Sequence, residues 1–459
     1  MRPVLLATDV LVWLLVAAIA AYFAYVRRRP HLLVPWRRVT LSAPGMSALV
    51  VLAVFVLVGM LDSLHYSPVL ERRGEQGPVY STEVLSVFDA IASPLRAHRE
   101  RTYSAPFATR AFSRETLEVT GPDGALRQVR EFPRLAFGGA HLKSEADRGQ
   151  DILLGTLKGL GLALLAWGVL AAAVLRGVPS GTSRVHWRAI LITAGVLLAL
   201  AGPIAMLSAG YHVLGTDKVG RDVLYLALKS IRTGLVIGTL TTLVVLPYAI
   251  VLGIMAGYFR GLTDDLIQYF YTVLNSIPAV LLIAAAVLIA QVFLDKHAEL
   301  APTAVQRADL RLLALCVILG LTGWIGLARL LRGEALKLRE LEYIQAAHAF
   351  GVSNRRIIAR HILPNVMHIV IISLVMDFSG LVLAEAVLSY VGVGVDPTMI
   401  SFGTMINAAR LEMSREPVVW WALAAAFAFM FVLVLAANLF ADAVRDAFDP
   451  RVRVGAVAA

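Results

Sequence analysis

At 459 residues, 58% hydrophobic and 16% charged, with a mean hydropathy of +0.73, the chain carries more apolar surface than a soluble fold can hide. Its formal net charge of +10 does not point to nucleic acid, because the basic residues stand in short loops beside apolar runs, where cytoplasmic exposure favours them. The single cysteine, Cys316, excludes an internal disulfide and a zinc site built on paired thiols.

Apolar runs long enough to cross a bilayer fall near 4–26, 46–64, 153–175, 189–210, 234–257, 266–294, 309–331, 366–392 and 417–440. They predict an all-α polytopic membrane protein of about nine transmembrane helices. The first run is too long for a signal-peptide core and meets Arg27, Arg28 and Arg29 at once, so it is read as a retained span. Asp9, near its outer end, is expected to be solvated.

The loops after the first, third and seventh runs concentrate basic residues. They hold Arg27–Arg29, Arg37 and Arg38, then Arg176, Arg184 and Arg188, then Arg332, Lys337, Arg339, Arg355, Arg356 and Arg360. These loops alternate, so all can face the cytoplasm together, with the N-terminus outside and the C-terminus inside. The long segment 65–150 is then extracytoplasmic. Within it Leu117, Val119, Leu126 and Val129 flank the turn sequence Gly121-Pro122-Asp123-Gly124 and predict a hairpin. A small folded subdomain is expected there; a partly disordered loop is the alternative.

A weak repeat follows. His141, Gly149, Asp151, Leu153, Leu157 and Lys158 recur 71 residues later as His212, Gly220, Asp222, Leu224, Leu228 and Lys229. A shared origin and a chance likeness between two span starts both remain open. Farther on, Pro247 and Pro278 inside apolar runs predict kinks.

The stretch Glu342–Asn365 is a polar, helix-forming island between two apolar runs. Leu341, Ile344 and Phe350 fall near one helical face. Ala346 and Ala347 remove bulk, so another surface can approach the backbone. Gly351 suits a left-handed helix stop, Ser353 can cap the next helix, and Ile357, Ile358 and Ile362 give that helix an apolar face. Pro364 opens the next span, where a missing N–H costs nothing. The order helix, stop, helix, span describes a rigid elbow that could insert into a partner's groove; an interfacial amphipathic loop is the plainer reading.

With these residues in view the sequence resembles the inner-membrane permease subunits of binding-protein-dependent ATP-binding-cassette importers, nearest the second-subunit type of the oligopeptide, dipeptide and nickel group. The family's cytoplasmic EAA signature corresponds to Gln345-Ala346-Ala347, Gly351 and His361-Ile362-Leu363-Pro364, with Gln in place of Glu and His in place of Ile. Gly215-Thr216-Asp217 with Gly220-Arg221-Asp222 resembles the outer motif, and Asn275-Ser276-Ile277-Pro278 the kinked span after it. Glu385-Ala386 with Leu388–Gly394, Pro397 and Ser401–Met405 resembles the late-span signature, and Arg445–Pro450 the tail.

The resemblance covers about 185–453 and implies a six-helix permease core there. Ahead of it would stand a two-span N-terminal extension (1–64), the extracytoplasmic segment (65–150) and a third extra span (151–184). It implies a multi-pass protein of the bacterial inner membrane that passes peptides or related small solutes. It also implies ATPase coupling through 342–364, by Glu342, Tyr343, Gln345, Ala346, Ala347, Gly351, Val352, Ser353 and Pro364. The partners implied are a second permease subunit, two ATPase subunits that use ATP and Mg, and an extracytoplasmic solute-binding protein.

This chain has no G-x-x-x-x-G-K-[ST] phosphate loop and no H-E-x-x-H or G-x-S-x-G, so it is expected to be no enzyme and to bind no cofactor or metal of its own. Asp377 and Glu385 share the eighth run, where a carboxylate must face protein or water. With Pro278 and Ser389 they are candidates for the translocation path or for helix packing. An ion-coupled carrier using Asp377 or Glu385, or a structural assembly protein built around the outer segment, are the competing functions.

Overall fold

A computed structural model describes residues 2–69, 80–120, 126–177 and 185–448. Its elements, in chain order, are β1 (Arg2–Val4), α1 (Ala7–Arg27), α2 (Pro30–Val39), α3 (Ala43–Asp62), β2 (His65–Ser67), β3 (Leu85–Ser86), α4 (Val87–Ile91) and α5 (Ser93–Ala97). Then come β4 (Glu115–Thr120), β5 (Leu126–Glu131), α6 (Arg148–Gly177), α7 (Trp187–Leu207), α8 (Val223–Phe259), α9 (Leu262–Ser276), α10 (Ala279–Lys296) and α11 (Ala304–Gly323). The last are α12 (Ile325–Arg339), α13 (Glu342–Ala349), α14 (Asn354–Ile357), α15 (Leu363–Val391), α16 (Phe402–Glu412) and α17 (Trp421–Phe448).

Among the described residues nine helical stretches are long and apolar enough to cross a membrane, beginning with Ala7–Arg27 and ending with Trp421–Phe448. The protein is an all-α polytopic membrane protein. Two of the expected runs differ in detail. The run 266–294 is not one helix: Ile277 is extended (φ −90°, ψ 131°) and Pro278 stands at the N-cap of α10. A proline disfavours the helical region for the residue before it, so the chain breaks there instead of kinking within one span. The run 309–331 lengthens to Ala304–Arg339 as two helices, α11 and α12, that meet at Trp324.

The chain divides into two compact units. One comprises Met1–Val4, Met46–Thr233 and Ile400–Leu433. It contains an antiparallel sheet in the order β1-β2-β3, with Pro3 opposite Tyr66 and Tyr66 opposite Leu85. It also holds the expected hairpin, β4 against β5 with Leu117 opposite Val129 and Thr120 opposite Leu126; its turn, Gly121–Gly124, lies outside the described residues. In the same unit α6 and α7 pack as a close pair. A Cβ on Gly159 would meet Pro203 Cα at 2.6 Å, so the small residue is what lets the two backbones touch.

The other unit comprises Leu5–Gly45, Gly234–Met399 and Val434–Ala459. One of its cores gathers Val236, Ile237 and Leu240 of α8, Ile283 and Val287 of α10, Leu312, Leu315, Cys316 and Leu319 of α11, and Leu388 of α15. Here α1 packs on α11, and Asp309 accepts both the backbone N–H and the hydroxyl of Thr8. That grip draws the first turn of α1 inward. Asp9 is therefore 2% exposed, not solvated as its position in the run suggested. The tail motif runs to the end of α17 at Phe448; Asp449 and Pro450 lie outside the described residues.

Candidate functional site: an elbow and a socket

The elbow begins where α12 stops. α13 carries Glu342, Tyr343, Gln345, Ala346 and Ala347, and ends in a two-bond turn: Gly351 N–H donates to His348 O (3.0 Å) and Val352 N–H to Ala347 O (3.1 Å). This is the Schellman pattern, and it needs a left-handed residue where Gly351 stands at φ +77°. Ser353 takes the N-cap position of α14, but its hydroxyl makes no capping bond; its carbonyl instead accepts Arg356 and Ile357 N–H. The expected side-chain cap is thus absent. A single π-helical turn, Ile358–Ile362, joins α14 to α15, with Pro364 in the first turn.

Packing sets which way the elbow points. Ile344, Ile357 and Ile362 are buried with Ala249, Ile254 and Tyr258 of α8 and Leu327, Ala328, Leu331 and Ala335 of α12. Phe350, expected on the same face as Ile344, is 87% exposed, because it sits at the C-cap where the turn and not the helical period aims its side chain. Leu341 and Tyr343 are exposed as well.

Polar contacts brace the frame. Tyr258 OH donates to Asn354 Oδ1 (2.9 Å), Arg339 donates to Tyr258 O (2.7 Å), Arg260 pairs with Glu340 (2.7 Å), and Gln345 Nε2 donates to Glu340 O (3.2 Å). Arg332 grips Asp264 through two bonds of 2.7 and 2.6 Å. That grip, with a smaller opposing effect of burial, holds the Asp264 carboxyl below its usual range. A cleft of about 410 Å³, lined by Tyr258, Arg339, Glu340, Gln345, His348 and Asn354, opens beside α13.

The small residues that let α8 approach α12 were not singled out from the sequence. A Cβ on Gly253 would lie 2.7 Å from Ala328 O, and one on Gly257 would lie 2.5 Å from Arg332 O and 2.7 Å from Ala335 Cβ. The signal was present as Gly253-x-x-x-Gly257 in an apolar run.

The outer-motif residues form a second constellation, at the head of α8. Asp217 accepts Val219 and Arg221 N–H (2.9 and 2.8 Å) and pairs with the Arg221 guanidinium (2.8 Å). Asp222 caps α8 by accepting Leu224 and Tyr225 N–H (2.8 and 3.2 Å) and binds His212 Nδ1 at 2.8 Å. Thr216 accepts Ser104 N–H (2.6 Å) and donates to Thr102 O (2.9 Å); its carbonyl accepts Trp421 Nε1 (2.9 Å). Gly215, with Ser104 O and the Trp421 ring against it, has no room for a Cβ.

Gly215, Thr216 and Gly220 therefore make a socket that part of the 65–150 segment fills, while Asp217 and Arg221 brace its loop and Asp222 caps the helix behind it. The residues of that segment that enter it, Glu100, Thr102 and Ser104, carry no local motif and were not anticipated. Nearby, Lys229 joins Asp62 (3.0 Å) and Asp89 (2.6 Å), tying α8 to α3 and α4.

The intramembrane candidates separate. Glu385 is 1% exposed and accepts the Ser389 hydroxyl at 2.7 Å one turn away, whereas Asp377 on the same helix is exposed. Pro278, at the break between α9 and α10, is exposed too.

Comparison with known proteins adds a further finding. The family described as "Binding-protein-dependent transport system inner membrane component" matches residues 249–454, a stretch that includes the whole elbow. The oligopeptide transport system permease protein OppC of Haemophilus influenzae is 31% identical over 244 residues, 53% of this chain and 72% of that protein. The glutathione transport system permease protein GsiD of Pectobacterium atrosepticum is 34% identical over 242 residues, 53% of this chain and 73% of that one. A solved chain of the MetNI methionine ABC transporter in inward-facing conformations is 15% identical, with a TM-score of 0.37, covering 50% of this chain and 98% of that one.

Proposed function

Since the chain belongs to the family of inner-membrane components of binding-protein-dependent transport systems, as a multi-pass protein of the cytoplasmic membrane, we propose that it is one permease subunit of an ATP-driven importer of peptides or peptide-like solutes. The relatives named for oligopeptides and glutathione support that substrate class. Its partners are a second permease subunit, two ATPase subunits that bind ATP and Mg, and an extracytoplasmic binding protein. This chain supplies no nucleotide chemistry. It contributes the elbow, through which closure of the ATPase pair favours one of two access states over the other.

The observation that carries this reading is the split character of the elbow. Ile344, Ile357 and Ile362 are 2%, 0% and 0% exposed, while Phe350 at the tip is 87% exposed. An element anchored that firmly on one side and ending in a bare aromatic ring suits helix-in-groove docking, where an apolar anchor enters a partner pocket.

The test replaces Phe350 by Ala and, separately, Ala347 by Glu, and measures how much ATPase subunit co-purifies. Phe350→Ala leaves the thermal stability of the isolated chain unchanged and lowers retained ATPase about tenfold or more. Wild-type retention and uptake in both variants would remove the docking role.

A further inference from the structure

Glu100 lies in an irregular stretch just after α5 and is 9% exposed. Its carboxylate accepts three successive backbone N–H groups, those of Ala136 (2.9 Å), Phe137 (2.8 Å) and Gly138 (3.2 Å). Its Oε1 also lies 3.4 Å from His212 Nε2. On its other side the Glu100 N–H donates to Gly220 O (2.9 Å). The Glu100 backbone passes so close to Gly220 that any Cβ there would overlap the Glu100 carbonyl. His212 in turn binds Asp222, the cap of α8, and both are 2% exposed.

An unbroken chain of contacts therefore runs from the 136–138 turn through Glu100 and His212 to the first turn of α8. Buried charges of this kind persist only when each is paired and hydrogen-bonded. Here two carboxylates share one imidazolium, three N–H groups and the positive end of a helix.

We propose that Glu100 is a positioning residue of the transporter: through His212 and the Gly220 carbonyl it latches the extracytoplasmic segment onto the head of α8 and holds the outer end of that helix in place. The latch stands on the contacts alone; its part in transport rests on the function proposed above.

The charged groups facing the His212 ring are Asp222 from the head of α8 and Glu100 from the extracytoplasmic segment. Burial alone would strip its proton, but these two carboxylates outweigh burial and hold its pKa at about 9. Burial likewise disfavours ionised Glu100, and His212 with the three N–H groups overcomes it, holding the carboxyl at about 2. The His212 contribution is complete below the ordinary 6.5 and is lost as pH rises through about 9. The Glu100 contribution is complete above the ordinary 4.5 and is lost as pH falls toward about 2. The latch is strongest between those ordinary values.

Hydrogen exchange on the full chain in lipid nanodiscs reads the latch directly at the amides of 136–138, after correction for intrinsic rates. In the wild type their protection holds near pH 6 and falls about tenfold or more between pH 6.5 and 9.5. Glu100→Gln loses it about tenfold at pH 6, Glu100→Asp recovers part of it, and His212→Gln removes the alkaline fall. Protection that is flat with pH in the wild type, or equal in Glu100→Gln and wild type, would overturn the latch.

The second arm measures ATP-dependent uptake of a mixed tripeptide pool by the complete transporter. Uptake by Glu100→Gln falls with the lost protection, and its alkaline limit moves to lower pH than in the wild type. Open amides with wild-type uptake would overturn the positioning role. If the wild type itself shows no ATP-dependent uptake, the proposed function fails, and the exchange arm still decides the latch.

Discussion

Substituting Gly257 tests the contact on which the elbow is mounted. Its missing Cβ faces Arg332 O at 2.5 Å and Ala335 Cβ at 2.7 Å, and one turn earlier the space at Gly253 is closed by Ala328 O at 2.7 Å and Leu331 Cβ at 2.9 Å. Most of these neighbours are backbone or the Cβ of a small residue, so none can rotate aside. A methyl group at Gly257 therefore pushes α8 off α12. Overpacking of this kind costs about 1–3 kcal/mol, while the better helix propensity of Ala returns about 1 kcal/mol. Gly257→Ala is then mildly destabilising, and Gly257→Leu, which adds bulk with nowhere to turn, costs about 3 kcal/mol or more.

Separating the two helices also loosens the cluster that buries Ile344 and Ile357, so on the proposed function the retention of ATPase subunits falls with stability. Gly333 on α12 is the control, because nothing lies within 4 Å of its Cβ position; Gly333→Ala is neutral or stabilising by up to about 1 kcal/mol. Thermal denaturation of the purified chain in detergent, followed by fluorescent size-exclusion, ranks the variants. The expected order of midpoints is Gly333→Ala at or above wild type, then Gly257→Ala, then Gly257→Leu. A wild-type midpoint for Gly257→Leu would refute the reasoning.

Two further outcomes follow from charges outside the elbow's tip. Asp264→Asn breaks the two-bond grip on Arg332; because Arg332 is partly solvated, the loss is about 1–3 kcal/mol in a melt at neutral pH. Since the Asp264 carboxyl is held below its ordinary 3.8, the wild type loses this stabilisation as pH falls through that region, and Asp264→Asn shows no such loss from this site. Thr8→Val removes the hydroxyl partner of Asp309 while both positions stay buried and the backbone N–H bond remains, which lowers stability by about 1–3 kcal/mol; an unchanged melt would mean that the hydroxyl bond does not help to hold α1.

The elbow was legible because its signals are local. Gly351, directly after the C-cap residue Phe350, and Pro364 at a span start act through their own backbones, and both stand where the sequence placed them. Phe350 was misplaced for a related reason: helical periodicity assigns a face only while the helix continues, and Phe350 is where it stops. Pro278 shows the same limit in hydropathy. A long apolar run averages over a residue whose ring forces its neighbour to be extended, and the run becomes α9 and α10. Asp9 and Glu100 were beyond reach altogether. Their settings are fixed by Asp309 and by His212 and Gly220, contacts that span 100 to 300 residues and leave no trace in the neighbouring sequence.

The repeat makes the same distinction within one molecule. His141 and Asp151 are bound at 2.8 Å, as are His212 and Asp222, so the ten-residue spacing carries its hydrogen bond in both copies. The glycines do not match in use. Gly149 lies inside the first turn of α6 with nothing within 4 Å of its Cβ position, and the helix there has already begun before Asp151. Gly220 lies before α8, in a turn at φ +73°, with the Glu100 backbone pressed against it. The same residue types thus give an open, half-exposed pair in one copy and a closed, buried one in the other. What differs is the segment that arrives from elsewhere in the chain. It follows that the second copy owes its burial to Glu100 and its neighbours, and not to its own sequence.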